Sequence, residues 1–189
     1  PFFYLSSSSW HIYDVMRDFM ELHGMPRGPI LLRDMEFTRA SLFGRARHDH
    51  KVERIREILN TYPDLPFLLI GDTGQRDAEL YCDIAENRPH QVKAIYLRDV
   101  LPTPRRRATL ESIMSRMEEA GVDMLLLDTT MAAAKHAADR GWIQSARLPD
   151  IEQDEVRDEP TSLVQSAFYR LGRAVARFTR PVRRRSGSS

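Results

Sequence analysis

One cysteine in 189 residues, Cys82, leaves an internal disulfide framework without a partner and fits a reducing compartment. Cys82 falls in a segment with helical patterning, where it reads as a small core residue. No apolar run approaches the ~18 residues of a spanning helix, and no internal repeat is visible. Net charge is almost absent as well: 28 Lys and Arg against 27 Asp and Glu give +1, so the molecule as a whole is not a polyelectrolyte. An initiating Met is missing too. Pro1 leads directly into a strand, so the chain reads as a piece of something longer, and a signal or transit peptide upstream stays open. What is present is a hydrophobic content of 42%, enough for a core, on a length that suits one domain plus extras.

Period and punctuation place strands at 2–5, 30–34, 67–70, 92–98 and 124–127. They place helices at 10–23, from 51 onward, 78–87, 109–120 and 131–140. Residues 6–9 read as a polar turn in which a later serine caps the first helix. Strands alternating with helices at this spacing imply an α/β fold, a parallel sheet with helices on both faces. The near-continuous apolar strands agree with burial on both sides. Asp128 reads as the cap of the last of these helices. Residues 149–160 are acidic and lack apolar periodicity, which reads as a solvated linker.

Phe67-Leu68-Leu69-Ile70-Gly71-Asp72-Thr73-Gly74-Gln75-Arg76-Asp77 is the most informative segment. An apolar strand runs into a Gly-Asp turn and a second acid follows five residues later. In open α/β sheets the carboxyl edge is where ligands sit. Two acids there repel unless a cation lies between them, and oxygen-only donors suit a hard ion, with Mg2+ the first candidate. A loop whose Asp caps the next helix is the plain alternative. Ser6 at the end of the first strand and Lys51 at the start of a helix precede this acid pair. A hydroxyl, a cation and two acids are the equipment of phosphoryl transfer. A Lys at the positive end of a helix is disfavoured by the dipole, which hints at another purpose. Ser6 satisfying a strand-end amide and Lys51 lying solvated remain open. His48, Asp49 and His50 are adjacent on a loop, a poor basis for a closed metal site.

The order and spacing resemble the later motifs of haloacid-dehalogenase-like phosphohydrolases. Tyr4-Leu5-Ser6-Ser7-Ser8-Ser9-Trp10, His23-Gly24-Met25-Pro26-Arg27-Gly28-Pro29-Ile30-Leu31-Leu32-Arg33-Asp34, His50-Lys51, Ile70 to Asp77 and Ile95-Tyr96-Leu97-Arg98-Asp99-Val100 resemble the catalytic domain of the actin-patch-type phosphatidate phosphatases, related to the lipin catalytic domain. The resemblance extends over about 1–143 and implies a Rossmann-like three-layer parallel sheet. It implies that Ser6 hydrogen-bonds the phosphoryl group and that Lys51 stabilises charge on the phosphoryl oxygens and the nucleophile. Asp72 would hold Mg2+, with Asp77 as a second ligand or as the orienter of a metal-bound water. Ser7, His50 and Arg98, in the same motifs, would contact substrate. One departure matters: no Asp-x-Asp followed by x-Thr or x-Val, the pattern that carries the nucleophile in that superfamily, occurs in 1–189. By the resemblance the nucleophile, one or two metal ligands and the central strand lie upstream of Pro1, and the chain as given is expected to be inactive.

Residues 161–185 differ in character from all that precedes them. Apolar residues recur there at three- and four-residue spacing between Arg170, Arg173, Arg177 and Arg180, and Arg183, Arg184 and Arg185 follow. This is the make-up of an interfacial basic amphipathic helix. Each Arg near an anionic leaflet contributes about 1 kcal/mol. A helix packed on its own domain is the alternative, and 186–189 read as a disordered tail. The partners expected are an anionic lipid substrate or membrane surface and no nucleic acid, since no stacking platform or nucleic-acid module accompanies the arginines. The oligomeric state stays open. A cytoplasmic, peripherally membrane-bound phosphatidate phosphatase is the leading expectation. A non-catalytic membrane-binding protein and a phosphatase of soluble phosphomonoesters are the alternatives.

Overall fold

A computed structural model describes the backbone of residues 1–33, 46–100 and 103–158, and the side chains of all of these except 46–50 and 154–158. The described strands are β1 (Tyr4–Ser9), β2 (Ile30–Arg33), β3 (Phe67–Asp72), β4 (Val92–Arg98) and β5 (Asp123–Leu127), and the helices are α1 (Tyr13–Leu22), α2 (Ala46–Thr61), α3 (Asp77–Asn87), α4 (Pro104–Glu119), α5 (Thr130–Asp139) and α6 (Leu148–Asp158). Two compact units divide the chain, 1–133 and 134–189.

The first unit is α/β with parallel strands, as expected. β1 pairs with β2 in one sheet, and β3-β4-β5 form a second. Every pairing is parallel. β1 and β3 do not pair with each other, so the described strands make two sheets rather than one. β4, the middle strand, explains its own sequence. Val92, Ile95 and Leu97 join a cluster with Ile55 and Leu59 of α2, six buried residues of α3 (Ala78 to Ala85), and Leu110, Ile113 and Met117 of α4. Ala94 and Tyr96 point the other way, toward Leu127, Leu125 and Ala133. Burial on both faces requires apolar residues at successive positions. β3 meets only half of that expectation. Leu69 enters the larger cluster, while Leu68 and Ile70 are 38% and 69% exposed, because no described helix covers that face.

Several boundaries differ from expectation for identifiable reasons. Residues 6–9 are strand, not turn, because pairing with β2 overrides the low strand preference of serine. Ser9 caps a 3-10 turn at Trp10–Ile12 that leads into α1. α2 begins at Ala46, so Lys51 stands in its second turn rather than at its start, and the dipole argument does not apply to it. Ala46 and Arg47 are good helix formers and nothing after Gly44 breaks the run. α4 begins at Pro104 with Thr103 as its cap, since Pro is compatible with a first helical position. Thr129, not Asp128, caps α5, its hydroxyl accepting from the Ala132 N–H at 3.3 Å.

In the second unit, α5 ends at Gly141, whose φ of +73° is the left-handed turn that glycine allows. The Trp142 and His136 rings pack edge to face with their centroids 5.7 Å apart. A 3-10 turn at Ser145–Arg147 leads to α6. The stretch expected to be a solvated linker is therefore helical over Leu148–Asp158. Pro149 lies in its first turn, where it costs no hydrogen bond, and Asp150 lies at the positive helix end. The basic amphipathic helix expected at 161–185, with its seven arginines, lies outside the described residues. No described helix is long and apolar enough to cross a membrane.

Candidate active site

The carboxyl end of β3 is where the candidate residues meet. Asp72 is the last residue of the strand, in register with Arg98 of β4, and the Thr73 N–H extends the ladder to the Arg98 carbonyl at 2.9 Å. The chain then turns. The Gly74 N–H donates to Asp72 Oδ1 at 2.8 Å, an Asx-type turn that fixes the carboxylate at the strand end. After a four-residue turn, 73–76, α3 starts at Asp77. Asp77 is therefore the first residue of α3 rather than its cap, with its carboxylate at the positive helix end.

Lys51 reaches this point from α2. Its Nζ donates to Asp77 Oδ1 at 2.7 Å, and the two side chains are only 9% and 8% exposed. Such burial is tolerable only for paired charges. Gly71 makes the arrangement possible. A Cβ there would lie 2.9 Å from the Tyr81 ring, 3.0 Å from Asp77 Oδ2 and 3.1 Å from Asp77 Cβ. The absence of a side chain lets the start of α3 settle directly on β3. Tyr81, one turn along α3, donates its hydroxyl to the Ile70 carbonyl at 3.0 Å. Burial, and then the negative charges of Asp77 and Asp72, push its phenol well above the ordinary range, so it remains a neutral donor.

Two further contacts brace the turn. The Thr73 hydroxyl donates to Asp99 Oδ1 at 2.8 Å and accepts from the Val100 N–H at 3.0 Å, which ties the end of β3 to the end of β4. From α4, Arg106 donates through Nε to the Thr73 carbonyl at 3.2 Å and through Nη2 to the Gln75 carbonyl at 2.9 Å, while also clasping both carboxylate oxygens of Glu79. For Glu79, burial opposes ionisation most strongly. The Arg106 hydrogen bonds, a backbone N–H and the charges of Arg106 and Arg76 together outweigh it and hold the carboxyl below its usual range.

Of the residues singled out from sequence, Lys51, Asp72 and Asp77 converge on one strand end. Asp77 is neutralised by Lys51 and Glu79 by Arg106, whereas Asp72 has no ion-pair partner among the described residues. Ser6 lies within β1, where its hydroxyl accepts from the Ser8 N–H at 3.1 Å at the irregular stretch of the β1–β2 register. Its described bond is thus to the backbone, not to Lys51 or the acids. Ser7 is half-buried in the same strand, and Arg98 ends β4 with an exposed side chain. His50 lies in α2, with its side chain outside the described set. Thr73, Asp99, Glu79 and Arg106 were not singled out. Thr73 and Asp99 stood inside the quoted motifs. Nothing distinguished Arg106 from Arg105 and Arg107 beside it. Among the described residues no cluster of three or more His, Cys, Asp or Glu could hold a metal.

Residues 1–99 match the family model described as the catalytic domain of phosphatidate phosphatase APP1. Over 97 residues the chain is 32% identical to phosphatidate phosphatase APP1 of Saccharomyces cerevisiae, an alignment that includes 51% of this chain and 16% of that protein. No solved structure matches.

Proposed function

We propose, from the premise that the chain belongs to the phosphatidate phosphatase APP1 catalytic-domain family, that it carries the phosphoryl- and metal-binding half of a Mg2+-dependent phosphatase acting on phosphatidate or a closely related phosphomonoester lipid. By family it is a phosphatase. The observation that supports the finer reading is the buried Lys51–Asp77 pair beside Asp72 at one strand end, all three within the matched residues.

The donor set fits the ion. Asp72 offers oxygen donors with no ion-pair partner among the described residues, and Asp77, whose Oδ1 is taken by Lys51, would serve through its other oxygen as a second ligand or orient a metal-bound water; a hydrated Mg2+ is held by one or two carboxylates while it keeps several waters. When bound, the ion would neutralise charge on the phosphoryl oxygens. Lys51 adds a second positive charge beside the acids, held in place by Asp77. Ser6 has accepted a hydrogen bond from Ser8 and so keeps its own proton to donate to a phosphoryl oxygen. Arg98, at the end of β4, would supply positive charge at the rim, with Ser7 as a further substrate contact. In the superfamily that the motifs resemble the attacking group is a carboxylate of an Asp-x-Asp, and 1–189 contain none, so the reading implies that this stretch taken alone binds without turnover. The arginines between 170 and 185 would hold the enzyme against an anionic lipid surface, where substrate arrives by lateral diffusion.

The test is phosphate release from phosphatidate vesicles by the full-length gene product with Mg2+. Activity that disappears with chelation and falls at least ~100-fold in Asp72→Ala supports the reading, since a ligand to the ion is lost. Undiminished turnover in Asp72→Ala ends it.

A further inference from the structure

Arg106 stands beyond the matched family segment, which stops at residue 99. Its side chain nevertheless returns to the turn that joins the two acids. That turn, 73–76, joins Asp72 at the end of β3 to Asp77 at the start of α3, so its shape sets where the two acids stand relative to each other. Arg106 grips it at two carbonyls, Thr73 and Gln75, and is itself aligned by both oxygens of Glu79.

We propose that Arg106 is a positioning residue for the divalent cation: its planar guanidinium locks the 73–76 turn so that Asp72 and Asp77 share one ion. The proposal rests on the metal-binding reading of those acids. The chemistry favours Arg over any substitute. Four contacts in different directions, two to carbonyls and two to a carboxylate, use the fixed fork of the guanidinium, whereas the ammonium of a Lys is a point charge that cannot span them. Glu79 is the second member of the device. It accepts from both terminal nitrogens of the guanidinium, so that Arg106 holds the turn without claiming the carboxylate of Asp72.

A residue that merely braces the fold would alter stability and leave ion affinity in proportion. A positioning residue alters affinity in a protein that is still folded. The experiment measures Mn2+ affinity of the full-length protein by calorimetry and by loss of the free Mn2+ paramagnetic signal, alongside the melting temperature, for wild type, Asp72→Ala, Arg106→Gln, Arg106→Lys and Glu79→Gln. The expected result is loss of the site in Asp72→Ala and at least about tenfold weaker binding in both Arg106 variants, with melting points within a few degrees of wild type. Glu79→Gln, which keeps the carbonyl contacts but loosens their anchor, should fall between. Should Arg106→Gln fail to fold, Arg106→Lys and Glu79→Gln carry the comparison. Wild-type affinity in Arg106→Lys or Arg106→Gln overturns the proposal while leaving the metal site intact. Absence of Mn2+ binding in wild type, or binding indifferent to Asp72→Ala, overturns the metal-binding reading and the Arg106 proposal with it.

Discussion

Replacing Lys51 by Met leaves the buried Asp77 side chain, 8% exposed, without the cation paired with it. At 2.7 Å the pair attracts by about 6 kcal/mol at an effective dielectric near 20. Desolvating the two ions costs several kcal/mol each, so the intact pair contributes little net stability over an apolar pair of the same shape. Removing one member is different, because the survivor keeps its desolvation cost and loses its compensation. Lys51→Met should therefore cost about 3–5 kcal/mol, roughly 10 °C in melting temperature for a chain of this size. Asp77→Asn should cost somewhat less, since the amide oxygen still accepts from the ammonium. The double variant should recover most of the loss and lie within about 1–2 kcal/mol of wild type. Urea denaturation of the four proteins closes the cycle. The coupling should exceed about 2 kcal/mol and persist at high salt, because a buried pair is poorly screened. Additivity of the single losses to within about 0.5 kcal/mol would refute the reasoning, since it would mean that the two charges do not depend on each other.

Gly71→Ala should destabilise by about 1–3 kcal/mol, because its methyl group would meet Tyr81 and Asp77 inside contact distance and push α3 from β3; denaturation and Mn2+ affinity should fall together. The Glu79 carboxyl, held below its ordinary 4.5, contributes stability that is present above about that pH and is lost as pH falls through the folded value. The stability gap between wild type and Glu79→Gln should accordingly be flat near neutrality and narrow on acidification, and a gap that widens in acid would contradict the Arg106 contact. Deleting 161–185 should weaken sedimentation with anionic vesicles at low salt and have little effect on neutral ones. Equal binding of the truncated and complete proteins to anionic vesicles would remove the membrane role assigned to the arginines.

Much of the fold was legible because it rests on local pattern. The run 92–98 reads as a strand with the limits it has, since a strand covered on both faces is apolar along most of its length, here all but the exposed Lys93 and the terminal Arg98. Boundaries failed where a residue has two meanings. Pro104 punctuates a chain in one place and opens a helix in another, and only the Thr103 cap decides between them. The serines of β1 favour turns in isolation, yet the pairing of β1 with β2 places them in a strand. Lys51 reads from sequence as the cation of a phosphoryl-transfer set placed at a helix start; it stands in the second turn of α2 instead, and in the fold its ion pair with Asp77 brings it to the acids.

The order of strands and helices, and the placement of two acids at the end of an apolar strand, follow from the sequence alone, because period and punctuation act over a few residues. The partners of those acids do not. Lys51 meets Asp77 across 26 positions, Thr73 meets Asp99 across another 26, and Arg106 meets Glu79 across 27. Such meetings depend on how α2 and α4 cross the sheet and on the space left at Gly71. A charge becomes a site only when packing removes the water that would otherwise screen it, and that removal is a property of the whole unit, not of any segment within it.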